Sequence, residues 1–96
     1  MKIEEAVKDK RDEIRRIAER HGATNIRLFG SLARGEARDE SDIDLLVDVT
    51  PHTSSWFPIG LILDLEKLLG RRVEVVTERS LNKNLRERVL REAVPL

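Results

Sequence analysis

Leu28-Phe29-Gly30-Ser31-Leu32-Ala33-Arg34-Gly35 and Ser41-Asp42-Ile43-Asp44-Leu45-Leu46-Val47-Asp48-Val49 stand on either side of a short polar linker. Gly30 and Ser31 close one apolar run, and Asp42 and Asp44 open another that reads as a buried strand. Two carboxylates beside buried apolar residues repel each other and resist desolvation unless a cation offsets them. A small Gly-Ser turn leading into a short helical segment suits phosphate oxygens. Together these features point to a site where a metal and nucleotide phosphates meet, with phosphoryl or nucleotidyl transfer as the chemistry.

Outward from this stretch, the chain alternates helices and strands. Ile3, Val7, Ile14, Ile17 and Ala18 fall at helical spacing and predict one amphipathic helix ended by His21-Gly22. A first strand follows over Asn25–Phe29, then about one helical turn over Ser31–Arg34 closed by Gly35, and a polar loop from Glu36 to Ser41. Ile43–Val49 is the second strand, expected to lie centrally, and Pro51–Pro58 is a proline-bounded loop. A helix carrying Ile62, Leu65, Leu68 and Leu69 then runs to Gly70. Arg72–Thr77 is a third strand. The last helix starts near Ser80 or Asn82, turns Leu81, Leu85, Val89 and Ala93 inward, and ends before Pro95. The order α-β-α-β-α-β-α implies one sheet with helices packed on it, an α/β or α+β domain over residues 1–96 with the first and third strands at its edges.

The spacing of the acids carries the chemistry. Residues two apart on a strand share a face, so Asp42 and Asp44 project together, about 7 Å apart along it. Such a pair suits magnesium, which takes one or two carboxylates together with substrate phosphates and water. Two ions about 4 Å apart steady both the attacking and leaving oxygens of an in-line displacement at phosphorus. Glu74, in the run Arg71-Arg72-Val73-Glu74-Val75-Val76, is the best candidate for a third ligand or for the base that takes a hydroxyl proton; the plainer alternative is an edge residue facing water. Asp48 is in phase with the pair but about 13 Å beyond Asp44, at the strand end.

Composition narrows the setting. Among 96 residues, 18 are Lys or Arg and 18 are Asp or Glu, and this zero balance argues against bulk electrostatic binding of nucleic acid. No apolar run reaches the roughly 20 residues of a membrane helix, and the opening Met-Lys-Ile-Glu-Glu lacks a signal peptide's apolar region. The absence of cysteine excludes disulfides and thiolate metal sites. A cytoplasmic protein is the expectation.

Gly30-Ser31-x-x-Arg34-Gly35 followed by Ser41-Asp42-x-Asp44 resembles the signature of the DNA polymerase β-like nucleotidyltransferase superfamily. Within it the chain most resembles the minimal nucleotidyltransferases, small proteins often paired with a HEPN-domain partner. The likeness extends to Gly70-Arg71-Arg72-Val73-Glu74-Val75-Val76-Thr77 and to the closing Glu92-Ala93-Val94-Pro95. Where that group typically has an aspartate on the third strand, this chain has Glu74.

The resemblance implies a small mixed sheet flanked by helices, with Gly30 and Ser31 on the triphosphate of ATP and Asp42, Asp44 and Glu74 as catalytic, magnesium-holding acids. Arg34 is either a phosphate contact or a structural ion-pair residue. Ser41 either bonds phosphate or caps the turn before the strand. The implied reaction moves AMP from ATP to a hydroxyl of a HEPN ribonuclease toxin, which makes the chain an antitoxin within a hetero-oligomer. The alternatives are a non-catalytic binding antitoxin and a nucleotide-binding regulator. Trp56 and Phe57 anchor a partner, stack on a base, or cover the sheet edge; His52 reads as a solvated loop residue.

Overall fold

The computed structural model describes residues 3–38, 40–53 and 56–96; Asp39 of the polar linker and Ser54 and Ser55 of the proline-bounded loop lie outside the described residues. Its elements are α1 (Ile3–Asp9), α2 (Arg11–Arg20), β1 (Ala23–Phe29), α3 (Gly30–Ala33), β2 (Ile43–Val49), α4 (Ile59–Leu69), β3 (Val73–Val76), a 3₁₀ turn (Glu78–Ser80), α5 (Lys83–Glu92) and β4 (Val94–Pro95). The strands form one mixed sheet in the order β3-β2-β1-β4. β2 runs antiparallel to β1 and parallel to β3, with Asp44 opposite Glu74.

Strand alternation sorts β2 between two layers. Ile43, Leu45 and Val47 join Ile14, Ala18, Leu61 and Leu65 in the larger core, beneath the first, second and fourth helices. Leu46 faces the opposite layer, where Leu81 and Val89 pack with Phe29, Val76 and Ala93 under α5. Asp42, Asp44 and Glu74 fall in phase with Leu46 and Val76, so the acids and α5 share that second face.

Four expectations change. The N-terminal helix is broken at Lys10, whose Nζ donates to the Leu68 carbonyl (3.2 Å) at the end of α4. β1 is interior rather than an edge, because Val94 and Pro95 pair with Leu28 and Arg27 as a fourth strand. β1 also begins two residues earlier, at Ala23, with an irregularity in register between Thr24 and Arg27. Leu85 is 41% exposed rather than inward. Leu81 precedes the helix in an extended conformation, and α5 starts after Asn82, whose side chain caps the Leu85 amide (2.9 Å). The two leucines therefore belong to different periodicities.

Candidate active site

β1 delivers its last residue, Phe29, opposite Asp44, and the chain turns at once into the four-residue α3. Gly30 makes that turn with φ +71°, a left-handed conformation that favours glycine. A Cβ at position 30 would overlap the Asp44 carboxylate. The Gly-Ser turn and Asp44 are therefore in direct contact, with no room for a side chain between them.

Three acids share this patch. Asp42 immediately precedes β2, Asp44 is its second residue, and Glu74 is the register partner of Asp44 on the edge strand β3. The Asp44 carboxyl is pushed up to about 6, first by burial, then by the charge of Glu74, a hydrogen bond with Glu74 and the charge of Asp42; Arg34 opposes the shift. Glu74 itself is exposed on its edge strand, and the desolvation cost falls on Asp44. Among the described residues no three acidic or imidazole groups close around one point as a metal cage. Magnesium retains waters and takes phosphate oxygens, so it needs a few hard carboxylates rather than a complete cage, and this crowded donor set fits it.

The remaining candidates separate clearly. Arg34 is held in ion pairs by Glu36 (Nε, 3.0 Å) and Glu92 (Nη1, 2.8 Å) while its charge still reaches Asp44. Ser41 caps the preceding turn, its Oγ accepting from the Arg38 amide (2.8 Å). Asp48 lies away from the patch, accepting from Arg27 (2.7 Å) and Asn25 (2.9 Å). His52 is an exposed loop residue. Phe57 packs on the larger core, whereas Trp56 is 74% exposed.

Glu92 is the residue that sequence reasoning left out of the site. Its Oε1 accepts from both the Gly30 amide and Arg34 Nη1, each at 2.8 Å. The available signal was its place at the end of a helix, where the backbone dipole disfavours negative charge unless other donors hold it.

The description of the nucleotidyltransferase domain matches residues 2–96. The chain belongs to that family. It is 45% identical over 78 residues to the protein adenylyltransferase MntA of Thermococcus cleftensis, spanning 81% of this chain and 79% of that protein. A solved minimal nucleotidyltransferase superimposes with TM-score 0.86 at 48% identity over 100% of this chain and 97% of its own. A toxin–antitoxin structure with AMP-PNP shares the fold at TM-score 0.74 and 24% identity, covering 88% of this chain and 69% of that one. The chain is thus an enzyme of the nucleotidyltransferase class.

Proposed function

We propose that this nucleotidyltransferase moves AMP from ATP, with magnesium, to a hydroxyl of a HEPN ribonuclease toxin and thereby neutralises it in the cytoplasm. One observation carries the reading: Gly30 abuts the Asp44 carboxylate, so the phosphate-binding turn and the metal-binding acids form one wall. The 45% identity to a protein adenylyltransferase and the likeness to toxin–antitoxin structures support the same assignment.

In this reading Asp42 and Asp44 hold the metal, with Glu74 as a third ligand or base. The Ser31 hydroxyl and Arg34 contact the triphosphate. Magnesium, when bound, neutralises the acids and stabilises charge on the phosphates. The acceptor oxygen bonds to the α-phosphorus as the bond to the bridging oxygen breaks, and pyrophosphate leaves. The acceptor proton passes to a carboxylate. Glu74 is the acid best placed to take it, since the exposed edge strand leaves it open to a hydroxyl presented by a partner.

Trp56 in the loop before α4 and Ile59 and Leu63 on α4 stand 74%, 56% and 60% exposed, which favours a second reading in which binding alone neutralises the partner. Incubating the chain with its co-encoded partner, magnesium and α-labelled ATP separates the two. Label on the partner supports transfer. Neutralisation retained by Asp42→Asn/Asp44→Asn without labelling supports binding.

A further inference from the structure

Glu92 ends α5 against the second face of the sheet, with its side chain only 19% exposed. One of its oxygens takes two donors, the amide of Gly30 at the start of α3 and the guanidinium of Arg34 at its C-terminal cap. A single acceptor thus ties together both ends of the turn that carries Ser31. A four-residue helix cannot hold its own geometry, so this turn depends on contacts from elsewhere in the fold.

Arg34 gives Nε to Glu36 and Nη1 to Glu92, and among the described residues nothing takes the donors of Nη2. Its charge acts on Asp44, so the guanidinium that Glu36 and Glu92 hold lies within electrostatic reach of the acid patch. The opposing charge on Glu92 sits at a helix C-terminus, an unfavourable place, with Arg88 no nearer than 3.9 Å. Its two short donors are what keep it there.

We propose that Glu92 is a positioning residue of the nucleotide site. By fixing the Gly30 amide and the Arg34 guanidinium on one oxygen, it sets where Ser31 and Arg34 meet the triphosphate. The inference rests on the phosphate-binding reading of this turn.

The test is calorimetric binding of a non-hydrolysable ATP analogue with magnesium, with thermal unfolding measured in parallel. Ser31→Ala and Arg34→Ala are expected to weaken binding, and Glu92→Ala to weaken it about tenfold, the scale of a lost charge-assisted hydrogen bond. Glu92→Gln, whose amide oxygen still accepts both donors, should recover most of the loss. Arg34→Ala/Glu92→Ala should bind more weakly than Arg34→Ala alone, but by less than the two single losses together, because without Arg34 the carboxylate still holds the Gly30 amide. Val89→Ala, in the same helix, should lower Tm and leave affinity unchanged. If Ser31→Ala and Arg34→Ala weaken binding but Glu92→Ala leaves it unchanged or tightens it, the positioning role is wrong and the carboxylate is structural or competes with phosphate. A Glu92→Gln variant as weak as Glu92→Ala contradicts the shared-acceptor basis. If Ser31→Ala and Arg34→Ala both bind normally, the turn is not the phosphate site and the inference fails with that reading.

Discussion

Asp44 and Glu74 face each other across the parallel β2–β3 ladder, and the more buried of the two, Asp44, has its carboxyl pushed up to about 6. A raised carboxylate value makes the ionised form a liability for the fold. The contribution of Asp44 to stability is fully present below the ordinary value of 3.8 and is lost as pH rises through about 6.

Replacing Asp44 by Asn removes that loss. The variant should gain stability over the wild type progressively between about pH 4 and pH 6 and hold a constant advantage above about pH 7. At a half-exposed group, screened by solvent, the gain is about 1–2 kcal/mol, or several degrees in Tm. Thermal unfolding across a pH series measures it. A Tm difference that does not change with pH would show that Asp44 is not under this strain.

The contact between Gly30 and Asp44 gives a steric prediction with an internal control. Gly30 and Gly35 have nearly equal φ, +71° and +72°, but a Cβ would meet the Asp44 carboxylate at Gly30, whereas at Gly35 no atom of the described residues lies within 4 Å. Gly35→Ala should therefore cost about 1–2 kcal/mol, the left-handed penalty alone. Gly30→Ala should cost about 2–4 kcal/mol by adding an overlap. Denaturant unfolding of both variants checks the ordering, and equal costs would contradict the contact.

Ser31 separates function from folding. Among the described residues its hydroxyl takes no hydrogen bond, so Ser31→Ala should leave Tm within about 1 °C of the wild type. Binding of ATP with magnesium should nevertheless fall about tenfold if that hydroxyl holds a phosphate oxygen. Paired calorimetry and thermal unfolding report the two quantities independently.

The sequence made β2 legible to the residue because a nearly continuous apolar run has few competing readings: Ile43–Val49 is the strand predicted and the strand found. Gly70 stops α4 in a left-handed conformation, as its type suggests. The pairing of Asp44 with Glu74 was anticipated only as proximity; the parallel register makes it a direct one. The missed features depend on distant partners. Two residues, Val94 and Pro95, carry no periodicity, and they are a strand only because β1 offers Leu28 and Arg27 to pair with. The break at Lys10 is accompanied by its bond to the Leu68 carbonyl, 58 positions away. Glu92 joins the site through Gly30 and Arg34, about as far back in the chain. Local pattern does not encode such contacts.

The most direct measurement of the central claim is the intact mass of the co-encoded partner after incubation with ATP, magnesium and this chain. One or more AMP adducts on the partner, absent with Asp42→Asn/Asp44→Asn and reduced with Glu74→Gln, is the predicted result. An unmodified partner that the wild-type chain nonetheless neutralises, equally well with both acids replaced, would contradict nucleotidyl transfer as the means of neutralisation.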